Sequence, residues 1–293
     1  MPSLANLLLH ARLFRPDRHA RPDDNTAALG APLHEARTHR VDGIHLNAFR
    51  CLVPGWPHDY LLPPSYPQVV AADLHLRLLG DRRFPFQPMG LVHVSNRIDY
   101  LAPLHVDADY QLSATLASGG AHRQGVLVQI DTKLHQDTRL LWQSRIVALK
   151  RMRGKTLQDP QQSSFATAID TFPRDRYLLP ADLGCRYARV AGDLNPIHQR
   201  PWLSRPFGFP RPIIHGMWTL AWATQPWLAE HPEQPQTVHA EFRRPIALPS
   251  TVQAHGQRDS DGQVQGEVRQ SATGETAMRF MVATDATHGK SKE

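Results

Sequence analysis

Hydrophobic positions along the chain change period twice, in the same order each time. After Pro63-Pro64-Ser65-Tyr66-Pro67, the residues Val69, Ala72, Leu76 and Leu79 recur three or four apart, and Gly80 stands where a helix C-cap belongs. This spacing predicts a helix with one buried face. The period then shortens to two or gives way to strong β-formers over Leu91 to Ile98, Ala108 to Leu116, Val126 to Leu134 and Leu140 to Leu149. Gly119-Gly120 and Gln136-Asp137 supply turn residues, so a helix followed by an antiparallel meander is expected. Ahead of it lie a Pro-, Asp- and Arg-rich stretch to about Ala28 and a region of mixed character.

The rhythm fades from about Gly154 to Pro180, where Gln158-Asp159-Pro160-Gln161-Gln162-Ser163-Ser164 reads as linker or surface loop. It then returns. Met217, Leu220, Ala221, Thr224, Trp227 and Leu228 mark a second helix. Strands are expected at Thr237 to Arg243, Thr251 to Gln257, Gln263 to Gln270 and Thr276 to Ala283, punctuated by Gly256, Asp261-Gly262 and Gly274. The pattern predicts an α+β protein with an N-terminal domain over residues 1–155, a linker over 156–180 and a C-terminal domain over 181–293. Two such halves would cover their open sheet edges by joining side by side.

Composition narrows the function classes. Lys and Arg number 33 against 27 Asp and Glu, a formal charge of +6 that suits an anionic ligand or an acidic carrier protein. The basic residues are dispersed, which argues against nucleic acid as partner. Cys51 and Cys185 are the two cysteines, so no disulfide framework is indicated and Cys185 reads as a packing residue. Seventeen histidines are scattered without HExxH, CxxC or ligand-spaced carboxylates, and no metal is expected. The apolar run Leu7-Leu8-Leu9 is too short to cross a membrane; Arg12, Arg15, Arg18 and Arg21 after it faintly resemble an organelle transit peptide, and the plainer reading is a short packing segment followed by a solvated tether. A cytoplasmic protein is the expectation.

The chemistry concentrates in Tyr187 to His198. Gly192 permits a left-handed turn, and Asn195-Pro196 reads as a helix start with Asn as N-cap and Pro at the first position. His198 then falls in the first helical turn and Asp193 before the cap. The turn lets carboxylate and imidazole point to one place, as a general acid/base pair on a water requires. The plainer alternative is that Asn195 caps, Asp193 stabilises the helix start and His198 is a surface residue. Downstream, Phe207-Gly-Phe-Pro-Arg-Pro-Ile-Ile-His215-Gly216-Met217 places a glycine at the start of the second helix, where free backbone N–H groups suit a carbonyl oxygen gaining negative charge. Thr224 interrupts the apolar face of that helix, either presenting a hydroxyl inward or bonding its own backbone.

Gly192-Asp193-Leu194-Asn195-Pro196-Ile197-His198, with Gly216 eighteen residues after the histidine in Pro-Ile-Ile-His-Gly-Met, resembles the signature of the MaoC-like dehydratases, which include (R)-specific enoyl-CoA hydratases. Phe242-Arg243-Arg244-Pro245-Ile246 is similar to the family's next strand. The first half is more loosely similar, through Pro63 to Pro67 and Phe84 to His93, to the non-catalytic half of two-domain members. The resemblance implies a double hotdog, each half a sheet wrapped around a long helix, with one active site. It implies that Asp193 and His198 share a water that adds to C3 of a trans-2-enoyl thioester, and that Gly216 N–H holds the thioester oxygen, worth roughly 3–4 kcal/mol in comparable sites. Asn195, His215 and Thr224 would support the site. It further implies an acyl-CoA or acyl carrier protein substrate, no cofactor, no membrane partner and an N-terminal half that shelters the acyl chain, with homodimer formation left open. One departure stands out: Gln199-Arg200-Pro201 replaces the acidic residue that many members carry before this proline. Thioester hydrolysis and acyl thioester binding without catalysis are the alternatives.

Overall fold

The computed structural model describes residues 31–86, 88, 91–122, 124–151, 165 and 173–284. The segment holding Leu7 to Leu9 and the four arginines after it lies outside these residues, as does Gln158 to Ser164. The first half contains β1 (Leu33–Arg40), α1 (Gly43–Leu52), α2 (Tyr66–Val70), α3 (Ala72–Gly80), β2 (Leu91–Tyr100), β3 (Asp109–His122), β4 (Gly125–Gln136) and β5 (Arg139–Arg151). The second contains β6 (Asp175–Leu179), α4 (Leu183–Ala191), a 3-10 turn (Pro196–His198), α5 (Pro201–Ser204), α6 (Gly216–Leu228), β7 (Gln236–Phe242), β8 (Ser250–Arg258), β9 (Val264–Gln270) and β10 (Thr276–Thr284).

The ten strands among the described residues form one sheet in the order β1-β3-β4-β5-β2-β7-β10-β9-β8-β6, and every pairing is antiparallel. The order mirrors itself about the β2–β7 seam, so each half repeats the other's topology. Ser95 to Tyr100 pair with Glu241 to Gln236 there, and each half covers the edge the other would expose. This is the double hotdog: paired antiparallel sheets with the helices on one face. Further bonds tie the halves through helix ends. Trp218 Nε1 donates to Leu52 O at 2.7 Å, and Tyr100 Oη donates to Pro232 O at 2.8 Å.

Several expectations are corrected. The first-half helix is two pieces broken at Ala71, and its buried face carries Ala71, Leu74, His75 and Leu78, with Leu76 and Leu79 only partly covered. The buried His75 explains the mistaken phase, since its ring bonds Thr132 Oγ1 at 2.8 Å and so is paid for as a core residue. Gly80 is the last residue of that helix, and Asp81 is its cap. Gly119-Gly120 lie inside β3 at a bulge, not in the hairpin turn, and Gly256 lies inside β8 against the Trp227 ring. Strand β1 escaped notice because its inward positions are polar: Glu35, Arg37 and His39 alternate with exposed residues, and Arg37 bonds Asp73. Strand β6 occupies the end of the stretch read as linker. The other eight strands lie where the period-two pattern puts them, most with somewhat longer ends.

Candidate active site

Leu183, Tyr187, Ala188 and Ala191 recur at helical spacing and are buried, which makes α4 a packing helix. It ends at Gly192, whose φ of 71° is the left-handed conformation that glycine adopts without penalty. The turn that follows is built from local side-chain bonds. Asp193 Oδ1 accepts from the Asn195 amide at 3.1 Å, and Asn195 Oδ1 accepts from the Ile197 amide at 3.3 Å. Pro196 opens a single 3-10 turn, not an α-helix, and His198 closes it. The start of α4 lies against this turn: a Cβ on Gly184 would stand 2.3 Å from the His198 carbonyl oxygen.

The turn brings the two expected side chains together. Asp193 Oδ2 lies 3.8 Å from His198 Nε2 and 3.9 Å from His215 Nε2. His198 is buried, whereas the Asp193 side chain is half exposed, so the pair faces an opening from within the protein. His198 Nδ1 donates to the Ile213 carbonyl at 2.8 Å. A carbonyl can only accept, so the proton sits on Nδ1 and the Nε2 lone pair faces the carboxylate side. Burial holds the His198 pKa below its usual value, with the Asp193 charge and the Ile213 bond pulling the other way.

His215 plays a structural part in this arrangement. Its Nε2 donates to the Asp193 carbonyl at 3.2 Å, and its ring stacks on His198 with centroids 3.6 Å apart. Tyr187 packs on it at 5.0 Å. Burial, then the neighbouring His198, push its pKa down to about 3, so both imidazoles are neutral at pH 7. His215 is also the N-cap residue of α6, and its carbonyl serves the amides of Trp218 and Thr219. The amides of Gly216 and Met217 have no acceptor within the helix, which leaves them available to an oxygen at its positive end.

Asp193, His198 and His215 place three potential ligand atoms within 4.8 Å of one another. A metal fits poorly here. The two rings are stacked rather than converging, and His215 Nε2 already gives its proton to a carbonyl. The set suits proton handling better. Thr224 does not join it: its hydroxyl donates to Leu220 O at 2.8 Å within its own helix. Arg200 takes the N-cap position of α5 without a side-chain cap bond, so the acidic residue it replaces would have had a capping place there.

The first half reaches the site in ways the sequence did not announce. His45 Nε2 donates to Val190 O at 2.8 Å, while its Nδ1 accepts from Tyr66 Oη at 2.8 Å, which clamps the end of α4. Strand β2 carries a bulge between His93 and Ser95 that turns His93 from the outer to the helix-facing side. There its ring packs on Phe242 at 4.5 Å, and Phe242 in turn lies against Gly216. Burial lowers the His93 pKa to about 4, with a backbone bond to Ser95 and the charge of Asp193 opposing.

Comparison with known proteins matches residues 164–279 to the MaoC like domain. The chain is 28% identical over 216 residues to 3-hydroxyacyl-thioester dehydratase X of Mycobacterium tuberculosis, covering 72% of this chain and 75% of that protein. It is 25% identical over 153 residues to the peroxisomal enoyl-CoA hydratase 2 of Arabidopsis thaliana, a match spanning 48% of this chain and 50% of that protein. Among solved structures, HtdX of Mycobacterium tuberculosis superposes with a TM-score of 0.72 at 24% identity, covering 85% of this chain and 99% of that one. A MaoC-like dehydratase from Phytophthora capsici gives 0.71 at 15% identity, covering 89% and 98%.

Proposed function

Because residues 164–279 match the MaoC like domain, we propose that this chain adds water reversibly to trans-2-enoyl thioesters, giving (R)-3-hydroxyacyl thioesters. The observation that carries the reading is the Asp193–His198 pair: a half-exposed carboxylate 3.8 Å from an imidazole nitrogen whose lone pair is free because Nδ1–H is held by Ile213 O. That gap is too long for a direct hydrogen bond and suits one water bridging both groups. In hydration the water oxygen bonds C3 while His198 Nε2 takes one of its protons, and a proton is delivered from the pair to C2. Dehydration reverses each step. Negative charge on the thioester oxygen is met by the Gly216 N–H at the start of α6. Asn195 shapes the turn, and His215 holds the Asp193 peptide. Two relatives named for dehydration and hydration of such thioesters support the same reaction.

The thioester is carried by CoA or an acyl carrier protein. The second half performs the chemistry, and the first half shelters the acyl chain behind β2. The test is the ultraviolet absorbance of the conjugated thioester, followed with crotonyl-CoA and a medium-chain trans-2-enoyl-CoA. Loss of absorbance yielding the (R)-alcohol, without free thiol, is expected. Release of free thiol would replace this reading with thioester hydrolysis, and binding with no turnover would replace it with a non-catalytic role.

A further inference from the structure

The helix-facing side of the sheet is mostly apolar across its centre, with Thr132, Ser144 and Asn96 as buried polar exceptions on neighbouring strands. Opposed residues Ile130, Ile146, Asn96, Ala240 and Phe280 form a row through β4, β5, β2, β7 and β10. Asn96 sits at the seam, is 0% exposed, and neither atom of its carboxamide has a hydrogen-bond partner among the described residues. Its diagonal neighbour on β5, Ser144, donates to Gln68 Oε1 of α2 at 2.5 Å, while Gln68 Nε2 is unpartnered. Across the same layer, Gln225 Nε2 of α6 donates to Ser65 Oγ at 3.3 Å, and Gln225 Oε1 is unpartnered. Five polar side chains are thus buried together, with two amide nitrogens and two amide oxygens left unmatched. Buried polar groups are ordinarily bonded, and leaving four of them idle is costly.

Their place in the fold connects them to the site. Phe242, which packs against Gly216, is two residues along β7 from Ala240, the partner of Asn96. Gln225 is nine residues along α6 from Gly216, roughly 13 Å at the helical rise. To meet Asn96 and the Gln225–Gln68 layer, an acyl chain with its thioester oxygen at Gly216 would have to run inward between α6 and the seam. We propose that this interior selects acyl chains bearing a hydroxyl beyond C3, with Asn96, Gln68 and Gln225 supplying its hydrogen bonds. A hydroxyl both donates and accepts, which matches the mixed set of idle atoms. A plain hydrocarbon would leave them unmatched.

The inference rests on the hydratase reading, and its test separates the two. The full-length protein is assayed with crotonyl-CoA, whose chain ends at C4, with trans-2-decenoyl-CoA, and with the decenoyl thioesters hydroxylated at C6, C8 or C10. At least one hydroxylated substrate should exceed the plain one by roughly tenfold or more in kcat/KM. Asn96→Leu and Gln225→Leu, two near-isosteric changes on different elements, should each pull that ratio toward one. The inference is overturned if every hydroxylated chain is equal to or worse than the plain one, the outcome expected of an interior that holds only ordered water. It is also overturned if the preference survives in both variants. Failure to hydrate crotonyl-CoA would instead remove the hydratase reading, and this inference with it.

Discussion

At the residue scale, neighbours separate two buried histidines into different tasks. His198 spends Nδ1–H on Ile213 O and keeps a lone pair at Nε2, whereas His215 spends Nε2–H on the Asp193 peptide and stacks beneath its neighbour. A general base works in its neutral form, and burial lowers the pKa of His198. The acid limb of kcat/KM is therefore expected to have its midpoint below pH 6.5. A midpoint above 6.5 in a pH–rate profile would contradict this. His215→Phe keeps a ring for stacking but removes the bond to the Asp193 carbonyl. A kcat loss of roughly tenfold to a hundredfold is expected, with KM less affected, as for a misplaced catalytic group. The turn from Gly192 to His198 was legible in the sequence because its bonds are local: Asp193 to Asn195, and Asn195 to Ile197. His45 and His93 were not, because each acts on residues far away in the chain, and the bulge that aims His93 has no local signature.

At the element scale, the turn from Gly192 to His198 is as well placed as the helices that hold it. Gly184 lets α4 lie against the His198 carbonyl, and His45 fixes the other end of the same helix. Gly184→Ala would push the new methyl into that carbonyl at 2.3 Å, so α4 and the turn must separate. The expected result is a loss of hydration activity of roughly a hundredfold alongside a fall in Tm. An unchanged kcat/KM would show that the turn does not depend on this contact. The second-half helix was legible because it is apolar almost all round, although its buried surface runs through Trp218 to Gln225 and leaves Met217 and Trp227 only partly covered. The first-half helix was misphased because a buried histidine, satisfied by Thr132, counts as polar in a periodicity count yet sits in the core.

At the scale of the whole molecule, the β2–β7 seam makes one sheet from two halves and brings first-half groups to a second-half site. Side-by-side joining could be anticipated from open edges, while the mirrored strand order could not, since β1 and α1 carry no apolar alternation strong enough to register. Burying neutral histidines also sets a pH dependence of stability. Burial lowers His75 and His93 to about 4 and His215 to about 3, from the ordinary imidazole value of 6.5. Between those values the unfolded chain binds more protons, so stability rises with pH across that window and is lost as pH falls from 6.5 toward 4. Thermal denaturation should show Tm dropping steeply over this range. A Tm that stays level from pH 7 to 4 would mean these rings are not buried neutral.

The account turns on Asp193 and His198 acting on one water. The most direct measurement is the hydration rate of crotonyl-CoA by the wild-type protein, Asp193→Asn and His198→Gln, with Tm recorded for each. Losses of roughly a hundredfold to ten-thousandfold in kcat for both variants, with Tm near that of the wild type, are what the geometry predicts. Near-full activity in either variant would contradict it.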